Sequence, residues 1–123
     1  MNGKMNGSSH NKPPHPLSGL TIDETNAARE VLINSHPGAS IYFRILALLE
    51  PPKAELSKFL ELEHAGQLSD STPRPARVAE IKYDLIESGS KVPVYQESWV
   101  DIGAGKVVRN EVISTEFHAS LTL

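Results

Sequence analysis

The sequence predicts an α+β domain, in which a four-stranded antiparallel sheet and two helices form a two-layer sandwich. A capped segment with apolar residues at helical spacing comes first and predicts a helix that packs on the sheet. Three later segments rich in β-forming residues are separated by turn sequences, which predicts an antiparallel meander. A chain of 123 residues is long enough for one such core and a tail.

The first helix is predicted from its start and stop signals. Thr21-Ile22-Asp23-Glu24 has the residues of a capping box, in which the Thr21 hydroxyl accepts from the Glu24 amide and the Glu24 side chain reaches back. His36-Pro37-Gly38 ends the helix, because proline disfavours helical geometry in the residue before it. An apolar stripe lies between these signals: Ala27, Ala28, Val31 and Leu32.

The first strand is predicted over Ser40 to Leu49, which is rich in β-branched and aromatic residues. Arg44 is the one charged residue in this segment, so the strand is predicted to be covered on both faces for much of its length. Strict alternation predicts which residues share a face: Ile41, Phe43, Ile45 and Ala47 on one, and Tyr42, Arg44, Leu46 and Leu48 on the other.

A second helix follows that strand. Pro51-Pro52 ends the strand and is a suitable helix start, and Ala65-Gly66 is a suitable stop. The apolar stripe of this helix consists of Leu56, Phe59 and Leu60, with Glu63 at the same spacing.

The meander begins after a polar loop with two prolines at 67–75. Val78 to Ile86 alternates strictly, with Ala79, Ile81, Tyr83 and Leu85 as its apolar face. Glu87-Ser88-Gly89-Ser90 predicts a turn. Two further strands, Val94 to Ile102 and Lys106 to Ile113, are joined at Gly103-Ala104-Gly105, where glycine can take a positive φ.

The predicted organisation is a disordered tail at 1–16, a domain at 17–113 and a linker at 114–123. The tail has no apolar stretch of the kind found in signal peptides. The longest apolar run, Ile45 to Leu49, is far shorter than the ~20 residues of a membrane span. We therefore expect a protein that is neither secreted nor inserted in a membrane.

Charge and cysteine content exclude several functional classes. The formal net charge of −3 leaves no basic excess for phosphate contacts, so nucleic acid is not an expected partner. The sequence has no cysteine, which excludes disulfides, thiolate metal sites and a cysteine nucleophile.

The motifs of common catalytic sites are also absent from the sequence. Gly103-Ala104-Gly105 joins two strands and does not open a helix, so it predicts a hairpin turn and not a dinucleotide-binding loop. Glu61 and Glu63 are predicted to point to different sides of their helix. The histidines are widely spaced, without a completed ligand set: His10, His15, His36, His64 and His118. We therefore predict no catalytic, cofactor-binding or metal-binding residue in this chain.

Tyr95 and Trp99 share one face of the third strand, with Glu97 between them. Two aromatic rings at this spacing fit either a surface for a partner or packing against the helices. Core packing against the helices is the favoured prediction.

Five collinear segments, running from His15 to about Ile113, carry a resemblance to a known family. They are His15 to Glu24, Ala27 to Leu32, Leu48-Leu49-Glu50-Pro51-Pro52-Lys53, Pro73-Arg74-Pro75-Ala76-Arg77, and Val100-Asp101-Ile102 with Gly105-Lys106-Val107. Together they resemble the first N-terminal domain, called N2, of the copper-containing amine oxidases. The junction at Leu48 to Lys53 is the most specific of the five.

The resemblance implies a parent enzyme that oxidises primary amines with oxygen to aldehydes, ammonia and hydrogen peroxide. The family uses copper held by three histidines and topaquinone, a quinone made from a tyrosine in an Asn-Tyr-Asp/Glu-Tyr motif. Here the tyrosines, Tyr42, Tyr83 and Tyr95, do not follow asparagine, and no His-x-His pair occurs. The resemblance therefore implies a non-catalytic domain that binds no cofactor itself.

The same resemblance implies the partners and the location. The expected partners are the second N-terminal domain and the catalytic domain of the same parent chain, within a homodimeric enzyme whose substrate entrance this domain helps to frame. The expected location is intracellular, cytoplasmic or peroxisomal, as in the fungal branch of the family.

Two other hypotheses remain open from the sequence. The first is a free-standing cystatin-like binding module, such as a protease inhibitor, although the Gln-x-Val-x-Gly hairpin of such inhibitors is absent. The second is a genuinely short protein that lost its catalytic part.

Overall fold

The computed structural model describes residues 13–113, which form one four-stranded antiparallel sheet and two helices. The strands lie in the order β1-β2-β3-β4, so the predicted α+β class and the meander are confirmed. The elements, in chain order, are α1 (Ile22–Ser35), β1 (Ser40–Leu49), α2 (Lys53–His64), β2 (Val78–Ile86), β3 (Val94–Asp101) and β4 (Lys106–Val112).

Helix α1 begins and ends where the sequence predicts. The Glu24 amide donates to Thr21 Oγ1 at 3.0 Å, and the Thr21 amide donates to Glu24 Oε1 at 3.0 Å, which completes the capping box. The helix stops at His36, whose amide donates to the Ile33 carbonyl at 3.2 Å.

The main core lies between α1 and the inward face of the sheet. Ala28 and Leu32 of α1 are fully buried against the predicted apolar face of β2. Each of the β2 and β3 residues in this cluster is at most 1% exposed: Ala79, Ile81, Tyr83, Leu85 and Val100. The prediction for β2 is therefore confirmed residue by residue.

Strand β1 departs from the prediction at a β-bulge. Phe43 pairs with Tyr83, but Ile45 pairs with Lys82, so Arg44 is an extra residue in the ladder. The extra residue reverses the alternation, and Leu46 packs on the core while Ile45 faces outward and is 51% exposed. The predicted grouping of Ile45 with Phe43 is therefore wrong.

The prediction that β1 is covered on both faces is also wrong for the described residues. Strand β1 lies at an edge of the sheet, with β2 on one side. Tyr42, on the outward face, is 59% exposed. The many apolar residues of the segment are explained by the inward packing of Ile41, Phe43 and Leu46 and by an outward face that no described helix covers.

Helix α2 has a separate small packing site. Its buried side chain, Phe59, lies outside the main core cluster. The His15 ring meets the Phe59 ring edge-on, with 5.6 Å between centroids, and the Arg74 guanidinium lies 4.9 Å from the Phe59 centroid. Helix α2 is therefore held by the segment before α1 and by the loop before β2.

The β3–β4 hairpin turns through residues 102–105. The Asp101 carbonyl accepts from the Gly105 amide at 2.8 Å, and Asp101 Oδ1 accepts from the Ala104 amide at 3.0 Å. Gly105 has φ of 67°, the left-handed conformation that glycine adopts without a steric penalty. Over residues 13–113, neither helix has the length and apolar character needed to cross a bilayer.

Candidate functional site

Arg77, directly before β2, ties the start of the domain to the sheet. Its Nε and Nη2 atoms donate to the two carboxylate oxygens of Glu24 at 2.9 and 2.8 Å, a bidentate pair. The remaining bonds go to the carbonyls of His15, Ser18 and Gly19, at 2.7, 2.9 and 3.1 Å. All five donors of the guanidinium are thus used.

The charge of Arg77 acts on the Glu24 carboxyl. Both side chains are largely buried, with 13% and 14% of their surface exposed. The hydrogen bond from Arg77 holds the pKa of Glu24 below its ordinary value of 4.5, with a smaller contribution from the Thr21 amide and against the opposing effect of burial. Glu24 therefore serves two partners, the helix N-terminus and Arg77.

His15 joins the same segment to α2. The Leu17 amide donates to His15 Nδ1 at 3.1 Å, so in the neutral ring the proton is on Nε2. That Nε2 donates to Glu63 Oε1 at 3.0 Å. Glu63 is thus engaged in a contact, whereas the sequence predicted only its place on the α2 stripe.

A polar cluster lies at inward positions of β2, β3 and β4. The Tyr83 hydroxyl donates to Gln96 Oε1 at 3.1 Å and lies 2.8 Å from Ser98 Oγ. Asn110 Nδ2 lies within 3.1 Å of all three acceptors: the Tyr83 hydroxyl, Gln96 Oε1 and Ser98 Oγ. No buried side-chain nitrogen or oxygen among residues 13–113 lacks a partner, so this cluster is fully satisfied.

The Tyr83 phenol is protected in its neutral form. Tyr83 is 0% exposed, and this burial raises the pKa of its phenol above the ordinary value of 10.0, against the opposing effect of the hydrogen bonds from Ser98 and Asn110. A buried phenol whose hydrogen bonds are all made within the fold suits a structural role and not proton transfer.

Tyr95 and Trp99 do not pack against the helices, which overturns the favoured prediction. Their neighbours Gln96, Ser98 and Val100 are buried on the inward face, so Tyr95 and Trp99 alternate to the other face of the sheet. We call this other face the open face, and it consists of the outward residues of all four strands. The register explains the error, because the inward positions of β3 are taken by two polar residues, Gln96 and Ser98.

Arginines cover the two aromatic rings on the open face. The Arg44 guanidinium lies 5.4 Å from the Tyr95 centroid and donates to Asp84 Oδ2 at 2.8 Å. Arg109 lies 4.9 Å from the Trp99 centroid and 3.4 Å from Glu111 Oε1. The open face is therefore a mosaic of aromatic rings and ion pairs.

The other residues considered from the sequence do not converge. His36 packs its ring 6.2 Å from that of Tyr83, and His64 is exposed at the end of α2. His10 and His118 lie outside the described residues. Between residues 13 and 113 there is no group of three or more histidine, aspartate or glutamate side chains that could hold a metal ion.

The copper and topaquinone of the resembled family therefore do not fit the described residues. Of the three histidines among them, His15 is bonded through both ring nitrogens, His36 packs beside Tyr83, and none belongs to a group of three or more possible ligands. The prediction that the fragment binds no cofactor stays a prediction, since residues 1–12 and 114–123 are not described. No reaction step is assigned to this chain.

The hydrogen bonds around Arg77 and the polar cluster around Tyr83 were not predicted from the sequence. The resemblance marked Pro73 to Arg77 but gave Arg77 no role, because its partners lie 53 to 62 residues away along the chain. The sequence did contain a signal for Gln96 and Ser98, because they alternate with Tyr95 and Trp99 along β3. If the aromatic pair faces away from the helices, the polar pair must face towards them.

Comparisons with known proteins agree with the five sequence segments. A family model described as copper amine oxidase, N2 domain, matches residues 15–113. The chain is 49% identical over 110 residues to copper amine oxidase 1 of Aspergillus niger, covering 89% of this chain and 16% of that protein. It is 30% identical over 99 residues to copper amine oxidase 1 of Schizosaccharomyces pombe, covering 80% of this chain and 12% of that protein.

These matches establish the family of the chain, although they cover only a small part of the length of each relative. The chain corresponds to less than a fifth of the length of the curated relatives it matches, in which the domain is one part of a larger protein. They do not favour the free-standing cystatin-like module. From the family model and the relatives together, the chain belongs to the copper amine oxidase family, as its N2 domain.

Proposed function

We propose that this chain is the non-catalytic N-terminal domain of a copper amine oxidase polypeptide. The observation that carries the proposal is the N2 match over residues 15–113, which includes every helix and strand of the structure. The lack of the tyrosine and histidine motifs in the sequence supports the assignment of catalysis to another part of the parent polypeptide. That other part would bind copper, contain topaquinone and carry out the oxidative deamination of primary amines.

The partners and location form part of the same proposal. The domain packs against the second N-terminal domain and the catalytic domain of its own polypeptide, within a homodimer. The location is intracellular, cytoplasmic or peroxisomal, in line with the resemblance to the fungal members of the family.

The absence of catalysis is tested on the chain itself. The purified chain is supplied with copper and oxygen, and hydrogen peroxide is measured with a primary amine added or withheld. We expect no amine-dependent peroxide and no quinone absorbance, whereas copper amine oxidase 1 of Aspergillus niger, assayed in parallel, supplies the positive control. Amine-dependent peroxide from the chain alone would contradict the proposal.

The role as a domain is tested by exchange. The 110-residue match in the Aspergillus niger protein is replaced by the corresponding residues of this chain, and a second variant lacks the segment altogether. We expect the chimera to fold and to retain amine oxidation, and the deletion to lose folded enzyme. A deletion that performs as well as the parent would show that the domain has no part in the assembly.

A further inference from the structure

The open face concentrates the residue types that dominate protein interfaces. The sequence has three tyrosines and one tryptophan, and all except Tyr83 lie on this face: Tyr42, Tyr95 and Trp99. Two arginines, Arg44 and Arg109, lie beside them. Tyrosine, tryptophan and arginine are the residues most enriched among those that carry binding energy.

The register places these side chains in adjacent rows across the sheet. Tyr42 is aligned with Asp84, and Asp84 with Tyr95. The adjacent row on the same face consists of Ile45, Lys82 and Glu97. The Tyr95 hydroxyl donates to Glu97 Oε2 at 3.1 Å, which links the two rows. The Tyr95 ring is therefore held before any partner binds, by Glu97 on its own strand and by Arg44 of β1, which lowers the entropy cost of docking.

Apolar surface is exposed at the β1 side of this face. Tyr42 is 59% exposed and Ile45 is 51% exposed, on neighbouring outward positions. Helix α1 packs on the opposite side of the sheet, against β3 and β4, so it does not reach these two residues. Exposed apolar side chains next to polar ones are typical of interaction sites.

The charges on the open face restrict the surface chemistry of a binding partner. Arg44 is already paired with Asp84, and Arg109 with Glu111. Lys82 is aligned with Glu97, so cations and carboxylates alternate on this face, and it presents no strong field of one sign that would select an acidic peptide or a nucleic acid. The matching surface on the partner is therefore apolar opposite Tyr42 and Ile45 and carries charges of both signs around them.

The remainder of the same polypeptide is the partner that the length of the relatives points to. The relatives extend far beyond this domain, since the match covers 16% and 12% of their length. The Ile113 amide donates to the Tyr95 carbonyl at 2.9 Å, so the last described residue is still bonded to β3, the strand that carries Tyr95 and Trp99. A neighbouring domain of the same chain is thus present at high effective concentration.

We propose that the open face, centred on Tyr42, Ile45, Tyr95 and Trp99, is the surface on which the rest of the copper amine oxidase polypeptide docks. This inference rests on the proposed function and adds to it the face that is used.

The proposal is tested by hydroxyl-radical footprinting, which measures the oxidation rate of each side chain. The isolated chain is compared with the active chimera described above. We expect the oxidation of Tyr42, Ile45 and Trp99 to fall severalfold in the chimera, and that of Ile22 and Ile33 on α1 to stay unchanged. Protection of the α1 residues without protection of the open face would overturn the proposal.

A matched pair of isoleucine variants gives the second arm. Ile45 on the open face and Ile33 on α1 have similar exposure, 51% and 47%. In Ile45→Glu the new carboxylate lies opposite Lys82, which favours the folded sheet. We expect Ile45→Glu in the chimera to restore Tyr42 and Trp99 oxidation towards the rates of the isolated chain, and Ile33→Glu to have no such effect.

Three results would count against the inference. Equal footprints for the two variants would exclude the open face as the docking surface. Concentration-dependent protection of Tyr42 and Trp99 in the isolated chain would assign the face to a second copy of the chain. An active chimera with an unprotected open face would refute this inference and leave the proposed function intact, whereas an inactive, unfolded chimera would refute the proposed function itself.

Discussion

Arg77 is the residue at which three parts of the chain meet: the segment before α1, the first turn of α1 and the start of β2. Its guanidinium bonds the Glu24 carboxylate and three carbonyls, while its own carbonyl accepts from the Ile102 amide at 3.0 Å. The planar fork of arginine suits this set, because it directs five donors in fixed directions. Lysine has the same charge but donates from a single point.

We therefore expect Arg77→Lys to lower the free energy of unfolding by about 2–3 kcal/mol, since it leaves the partly buried His15 carbonyl and part of the Glu24 carboxylate without donors. Urea unfolding at neutral pH measures this change. Arg109→Lys is the matched control, because its side chain and that of Glu111 are 54% and 52% exposed; we expect a change within about 0.5 kcal/mol. Equal effects for the two variants would contradict the role given to Arg77.

Glu24 makes part of the stability depend on pH. Its pKa is lower in the folded chain than its ordinary value of 4.5, so the unfolded chain binds the proton more readily. The contribution is therefore complete above pH 4.5 and is lost as the pH falls through the folded pKa. We expect the stability difference between the wild type and Glu24→Gln to shrink on acidification below that pH, in urea unfolding at a series of pH values. A difference that is constant down to the acid unfolding of both proteins would contradict this linkage.

At the scale of the elements, the polar cluster around Tyr83 joins three strands at one level of the sheet. Tyr83 belongs to β2, Gln96 and Ser98 to β3, and Asn110 to β4. A slip of one residue in any strand would turn its side chain to the other face and leave the remaining members buried without partners. The cluster therefore specifies the register, in addition to any stability that it contributes.

We expect Tyr83→Phe to lower the free energy of unfolding by about 1–2 kcal/mol, because it removes the hydroxyl that Gln96, Ser98 and Asn110 share. Tyr42→Phe, at a position that is 59% exposed, is the control and should be close to neutral. Chemical denaturation of both variants provides the comparison. A neutral Tyr83→Phe would show that the network adds little to stability.

The β3–β4 hairpin offers a test with its control in the same turn. Gly105 has φ of 67°, whereas Gly103 has an ordinary backbone conformation and a methyl group there would meet Asp101 Oδ1 at 3.8 Å, a normal contact distance. We expect Gly105→Ala to destabilise the domain by about 1 kcal/mol and Gly103→Ala to be nearly neutral. Thermal unfolding measures both, and a reversed order would show that the turn relaxes to another conformation.

Helices and strands were predicted correctly where a single sequence pattern determined the local structure. The capping box placed the start of α1, and strict alternation placed every buried residue of β2. Prediction failed at β1 and β3, where a second effect intervened. The bulge at Arg44 broke the period of two, and a buried polar cluster took the inward positions of β3 from Tyr95 and Trp99. The bulge is not visible in β1 considered by itself, and the alternation within β3 does not show which of its two faces is inward until the partners on β2 and β4 are known.

At the scale of the whole molecule, the domain has two packing sites of unequal size. The main core joins α1 to the sheet, and the Phe59 site joins α2 to His15 and Arg74. Regions with few buried apolar contacts open at a lower free energy than the rest of a domain. Helix α2, with one buried side chain, is such a region.

We therefore expect the amides of α2 to exchange with solvent through a partial opening that costs less free energy than the opening of β2 and β3. Native-state hydrogen exchange at increasing urea concentration distinguishes the two classes of amide. The variant Phe59→Ala should speed exchange in α2 and leave the central strands nearly unchanged. Identical protection throughout the domain would show that α2 and the sheet unfold as one unit.

The bulge in β1 also separates the requirements of the core from those of the open face. Arg44 is an insertion that the strand absorbs, since Phe43 and Leu46 face the core on either side of it. Removing it would restore strict alternation with the same inward residues and delete the cation that lies over Tyr95 and pairs with Asp84. We therefore expect a deletion of Arg44 to alter the open face and to leave the inward residues of β1 in place.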